Sequence, residues 1–205
     1  DVYKRQYENI LLVGSEVQST AMDLTNKGRD VAVIFGDGAG AIVLSSTTED
    51  RGILSTHLHS DGKNVKELWL KEPSTKSSNR LSKESIDRGD HFLFMNGREV
   101  FRHAVKRFPE TINESLEFNG LTSEDIDLLI PHQANLRISD MIQKKMGLPD
   151  NKVFNNIQKY GNTTAASIPI ALTEAWENNL VKPGNKIVLA AFGSGFTWGS
   201  VMIEW

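Results

Sequence analysis

The chain contains no cysteine in 205 residues, which excludes a disulfide scaffold and any zinc site built on thiolates. It has no apolar run long enough to cross a bilayer and no cleavable signal pattern, so it reads as soluble, with the cytoplasm as the expected compartment. A strong excess of positive charge is missing too: 23 Lys and Arg stand against 26 Asp and Glu, a formal net charge of −3. Such diluted cations, with no DNA- or RNA-reading motif, argue against general nucleic-acid binding. What is present is enough apolar material for a core in one large or two small domains.

The chemistry concentrates in two stretches. Residues 127–131 (DLLIP) form a short apolar run of the kind that makes a buried strand, and 134–146 then shows helical spacing. His132 therefore falls at a strand's carboxyl end, the edge of an α/β sheet where ligands bind. Asn162 has a similar setting: 152–156 (KVFNN) reads as a strand before it. The small residues 163–167 open a helix whose N-terminal N–H groups favour an anion. A neutral imidazole and an amide are donors without formal charge, suited to hold an enolate oxygen or tetrahedral oxyanion. Taken singly, Asn162 reads more simply as a helix cap and His132 as an interior hydrogen-bonded histidine. The repeated arrangement favours the pair.

The rest of the chain supplies a frame. The polar opening, 1–6 (DVYKRQ), has no periodicity and reads as a non-native remnant. Runs 10–14, 31–35 and 41–44 read as strands, with 36–40 (GDGAG) joining the last two in a tight hairpin whose glycines take unusual dihedrals. A phosphate-cradling role for that loop needs a lysine-serine pair or a following helix, and a β-rich run follows instead. Residues 52–59 alternate as a strand, placing His57 and His59 on one face. With Asp61 as the only local third ligand, packing is favoured over metal binding. Residues 63–90 read as a long mobile excursion able to border a site.

A helix is expected over 98–118, with an apolar stripe through Val100, Phe101, Ala104, Val105, Phe108, Ile112 and Leu116 and a bend at Pro109. Thr122 to Asp125 signals a helix start. Arg137, Met141, Lys144 and Lys145 follow three- and four-residue steps, so the cations share a helix face. A helix behind Asn162, a turn at 182–185 and strands at 186–192 and 197–203 complete the chain. The Ser194 hydroxyl, in the glycine-rich link between those strands, has no base in its motif and is not read as a nucleophile.

Four segments, 35–41 (FGDGAGA), 131–137 (PHQANLR), 161–167 (GNTTAAS) and 192–199 (FGSGFTWG), resemble signatures of the β-ketoacyl-acyl-carrier-protein synthase III family of the thiolase superfamily, in the family's order. The resemblance implies an α/β, thiolase-like fold, with 7–50 ending the N-terminal half and 51–205 forming the C-terminal half. It implies a homodimer at full length. It also implies a Cys-His-Asn site whose cysteine precedes residue 10 in a full-length member, so the chain is expected to be truncated and inactive alone.

The implied reaction is a decarboxylative condensation that starts fatty-acid synthesis, with acyl-CoA and malonyl-acyl carrier protein as substrates and no metal or redox cofactor. His132 and Asn162 would stabilise the enolate, and the backbone N–H of Ser194 would serve a second oxyanion hole. Met95, Gly97, Phe101, Asn135 and Phe192 would line or border the acyl and pantetheine tunnel. Arg102, Arg137, Lys144 and Lys145 would form the basic patch that receives acyl carrier protein. A thiolase-fold polyketide or quinolone starter synthase and a non-catalytic thiolase-fold partner are the rival readings, ahead of a phosphate-binding kinase.

Overall fold

The computed structural model describes residues 7–76 and 78–205; the opening hexapeptide lies outside the described residues. In chain order the elements are β1 (Asn9–Glu16), α1 (Arg29–Ala32), β2 (Gly38–Ser45), β3 (Gly52–Ser60), β4 (Leu68–Trp69), α2 (Lys83–Asp87), β5 (Phe94–Met95), α3 (Gly97–Phe118), β6 (Leu128–Pro131), α4 (Leu136–Met146), α5 (Ile157–Tyr160), α6 (Ser167–Glu177), β7 (Lys186–Gly193) and β8 (Thr197–Glu204). The principal sheet has the order β3-β8-β7-β6, with β6 parallel to β7 and the other pairs antiparallel.

All four residues of β6 are buried, as a parallel strand covered on both faces requires. Successive side chains point to opposite faces, so Leu129 joins one core and Leu128 and Ile130 the other. Leu129, Val188 and Met202 pack with Phe108 and Ile112 of α3 and Ile138 and Ile142 of α4. Leu128, Ile130 and Ile187 pack with Ala171, Leu172 and Ala175 of α6. The mixed α/β sheet is thus sandwiched between an α3–α4 layer and α6, the thiolase-like arrangement.

Over α6 lies a second, two-stranded ribbon, β1 antiparallel to β2. The expected strand over 31–35 does not form. Residues Arg29–Ala32 make α1 instead, and Phe35 contributes a single parallel bridge to Asn162. A five-residue apolar run cannot be assigned by periodicity alone, and β2 finds its partner in β1. The 36–40 loop is therefore no hairpin, and Gly36, Gly38 and Gly40 are absent from the positive-φ residues. Their requirement is space: a Cβ on Gly36 would stand 2.0 Å from the Tyr160 carbonyl oxygen, and one on Gly40 2.6 Å from Pro169 Cβ. Residues 152–156 likewise make only a 3-10 turn (Asp150–Lys152) and one bridge, Val153 to Leu129, with Phe154 N–H donating to Leu129 O at 3.0 Å.

The 63–90 excursion carries regular elements rather than plain loop. A 3-10 turn (Gly62–Glu67) is capped by Asp61, β4 pairs with β5, and α2 is capped by Ser82. Asn96 fastens its base, donating through its backbone N–H to Glu67 O at 2.7 Å and through Nδ2 to the Glu67 carboxylate at 2.8 Å. His57 and His59 do share a face, but their partner is Glu114 of α3, at 3.4 Å and 2.6 Å. The hydrogen bond from His59 holds the Glu114 carboxyl below its usual range. The helix start at Thr122 proves to be one 3-10 turn (Ser123–Asp125), in which the Asp125 carboxylate accepts from the Thr122 N–H at 2.7 Å. Among the described residues no helix is long and apolar enough to cross a membrane.

Candidate active site

His132 stands just past β6, held by its N–H donating to Ala190 O of β7 at 2.7 Å. Its Nδ1 is 2.6 Å from the Ser167 hydroxyl at the start of α6. Burial pushes the imidazole down to about 4, because a charged ring loses its hydration there. The ring is therefore neutral at physiological pH. Gln133 anchors the same corner: its Nε2 donates to Pro131 O at 2.7 Å, and its Oε1 accepts from the N–H groups of Asn156 (2.9 Å) and Ile157 (3.2 Å). Asn135 caps α4 by accepting from Arg137 N–H at 2.9 Å.

Asn162 is buried between the sheet and the ribbon. Its backbone N–H donates to Ile34 O at 2.9 Å and its carbonyl accepts from Gly36 N–H at 2.9 Å. The side-chain Oδ1 accepts from Thr164 N–H at 2.9 Å, and among the described residues Nδ2 has no protein acceptor. With Nδ1 of His132 engaged and Oδ1 of Asn162 occupied, each corner retains one ring or amide nitrogen for a ligand.

Both residues line one cavity of about 1090 Å³. Met95, Gly97, Phe101, Asn135, Phe192 and Ser194 line it as well. Phe192 is buried and its ring lies 4.8 Å from that of Phe196. Ser194 occupies the turn from β7 to β8, its carbonyl accepting from the Thr197 hydroxyl at 3.0 Å. The excursion borders the site as expected, through Leu68, Trp69 and Leu70, which sequence reasoning did not assign to the wall. The signal was available, since they are the one apolar cluster of that polar stretch. Ser167 was missed as the partner of His132, and Gln133 as the anchor of Asn156 and Ile157, because these contacts span 35, 23 and 24 positions, separations that no local pattern reveals.

The four cations do not form one free patch. Arg102 is paired with Glu99 one turn earlier, at 2.6 Å. Lys145 donates to Val105 O of α3 at 2.7 Å. That carbonyl would ordinarily accept from the N–H four residues on, which is Pro109 and has none. Arg137 and Lys144 are exposed on α4 and form no ion pair among the described residues. No group of three or more His, Cys, Asp or Glu side chains placed to hold a metal ion occurs among the described residues.

A sequence profile described as 3-oxoacyl-[acyl-carrier-protein (ACP)] synthase III C terminal matches residues 116–205, and one described as 3-oxoacyl-[acyl-carrier-protein (ACP)] synthase III matches residues 2–62. The β-ketoacyl-[acyl-carrier-protein] synthase III of Caldanaerobacter subterraneus subsp. tengcongensis is 45% identical over 199 residues, which is 97% of this chain and 59% of that protein. The protein of the same name from Clostridioides difficile is also 45% identical over 199 residues, with the same coverage. The crystal structure of 3-oxoacyl-[acyl-carrier-protein] synthase III from Aquifex aeolicus superposes with a TM-score of 0.87 at 39% identity, covering 100% of this chain and 60% of that one. The chain thus spans about three fifths of the length of the relatives it matches. With profiles of one family matched at both ends of the chain and a thiolase-like fold shared along all of it, the chain belongs to the 3-oxoacyl-[acyl-carrier-protein] synthase III family.

Proposed function

We propose that this chain is part of a condensing enzyme that joins an acyl-CoA primer to malonyl-acyl carrier protein and so initiates fatty-acid synthesis. The observation that carries the reading is two uncharged donors, His132 and Asn162, fixed by separate corners of the fold on the wall of one cavity. An acyl group passes from the CoA thioester to a cysteine thiolate, releasing CoA. The malonyl thioester then loses carbon dioxide, leaving an enolate whose oxygen takes hydrogen bonds from His132 Nε2 and Asn162 Nδ2. The enolate carbon attacks the acyl-cysteine carbonyl, a C–C bond forms, and the C–S bond breaks to return the thiolate.

Donors placed where charge develops are worth on the order of 3 kcal/mol each. A neutral ring suits this role, because it is not called on to carry a formal charge. The cysteine of the family pattern is not among these 205 residues, so the activity belongs to the whole protein. Met95, Gly97, Phe101, Asn135 and Phe192 form the wall along which the acyl and pantetheine arms lie, and the Ser194 N–H serves the acyl-transfer step. The division at about residue 50 and homodimer formation belong to the same proposal; the separate β1–β2 ribbon supports the division. Exposed Arg137 and Lys144 are the cations that meet the acidic carrier protein.

The test is malonyl-dependent release of carbon dioxide by the full-length protein. His132→Ala should abolish it; full turnover by that variant would refute the role.

A further inference from the structure

We infer that Ser167 is a positioning residue that fixes the tautomer of His132: its hydroxyl donates to Nδ1, so the neutral ring keeps its proton on Nε2 and offers a donor to the cavity. The inference deepens the proposed function and rests on His132 serving the enolate oxygen.

Ser167 is the first residue of α6 and is buried. Among the described residues its Oγ has two polar neighbours, His132 Nδ1 at 2.6 Å and the Gln133 N–H at 3.3 Å. A backbone N–H can only donate, so it takes an acceptor site on Oγ. A buried hydroxyl also has to place its own proton, because an unmade hydrogen bond there is costly. Among the described residues the one acceptor within reach is His132 Nδ1. A ring whose Nδ1 accepts carries its hydrogen on Nε2.

The site needs such a device because burial keeps the ring neutral, and a neutral imidazole has a single N–H to offer. Without the Ser167 hydroxyl the proton would divide between the two nitrogens. A ring protonated on Nδ1 turns a lone pair toward the cavity, where it repels the enolate it should hold. Ser167 also ties down the Gln133 backbone, so a loss of rate alone would not separate tautomer control from loop geometry.

The tautomer itself therefore has to be read. In the full-length protein with ¹⁵N-labelled histidine, the His132 signals are those missing from His132→Ala. The wild type should show a proton-bearing Nε2 and an accepting Nδ1. Ser167→Ala should move both shifts toward the averaged or reversed pattern. Its kcat for malonyl decarboxylation should fall on the order of 10- to 100-fold, as when the partner orienting a functional histidine is removed, with KM changed by no more than about twofold. Ser167→Thr, which keeps the hydroxyl, should restore the shifts and most of kcat. A wild-type or Ser167→Thr ring protonated on Nδ1 would overturn the inference, as would unchanged shifts and kcat in Ser167→Ala. Should Ser167→Ala fail to fold, the wild-type and Ser167→Thr spectra decide alone. Full turnover by His132→Ala beside a Ser167-dependent tautomer would leave the inference standing and sink the enolate role instead.

Discussion

At the scale of single residues, His132 links catalysis to stability. Its imidazole is lowered by burial from 6.5 to about 4, whereas the unfolded chain takes up that proton below about 6.5. Stability from this residue is therefore complete above about pH 6.5 and is lost as pH falls toward about 4, where the unfolded state binds a proton the folded state refuses. The loss is at most about 3 kcal/mol, since the residue keeps some access to the cavity. Urea unfolding at neutral pH and at pH 4.5 should show a larger drop for wild type than for His132→Gln; equal drops would contradict the buried, neutral ring. Asn162→Ala should lower decarboxylation on the order of 10²- to 10³-fold, as loss of one oxyanion donor does; steady-state rates with malonyl thioester check this.

His132 was legible because it lies between β6 and α4, and Asn162 because its 161–167 segment is distinctive, although the strand expected before it proves to be a 3-10 turn, one bridge and the short helix α5. Their partners were not, because Ser167 and His132 are 35 positions apart and meet only once α6 packs behind β6. Glu114 was hidden from His57 and His59 for the same reason: Asp61 is their nearest acid in sequence, yet α3 brings Glu114 across the sheet to both rings.

At the scale of elements, Pro109 and Lys145 form a unit that crosses between helices. Proline in a helix interior removes a donor and exposes a carbonyl, and here the Lys145 ammonium of α4 satisfies Val105 O. Lys145→Met should destabilise the protein by about 1 kcal/mol, while Lys144→Met should stay within about 0.5 kcal/mol; denaturant midpoints of the two variants measure the contrast. Carrier-protein association should respond the other way. Neutralising Arg137 or Lys144 should slow docking and flatten its dependence on salt, and Lys145→Met should leave that dependence near wild type in stopped-flow measurements.

α3 and α4 were legible because their apolar residues keep a 3.6 period over several turns, and β6, β7 and β8 because each is an apolar run bounded by turn signals or a motif. The runs at 31–35 and 152–156 were not: five residues fit either period, and each was claimed by a single bridge to a neighbouring motif rather than by a strand. The glycines of 36–40 suggested unusual dihedrals, but what requires them is close approach to Tyr160 and Pro169, more than a hundred positions away and invisible to local pattern.

At the scale of the molecule, the β1–β2 ribbon is the part least able to bury its own apolar surface. Leu11, Val13 and Val43 are 65%, 59% and 66% exposed, a face of the kind that marks a contact. The curated relatives are longer than this chain, and the 205-residue product alone should bind more of an apolar dye such as ANS than the full-length protein does. It should also lack condensing activity, having no cysteine to acylate; a radiolabelled acyl-CoA transfer assay checks this directly. The sandwich could be anticipated from alternating strand and helix patterns, and the family resemblance implied a separate half for 7–50, but the pairing of β1 with β2 could not be read, since strand pairing is set by register across the whole fold.

The ribbon also holds Asn162, whose backbone is bonded to Ile34 and Gly36 next to β2, whereas His132 is bonded to β7 in the middle of the sheet. The two donors stand on ground of unequal firmness. Amide exchange should release the Asn162 and Gly36 protons well before that of His132. Gentle warming should then blunt turnover while the helices still give their full circular-dichroism signal, and cooling should bring the rate back.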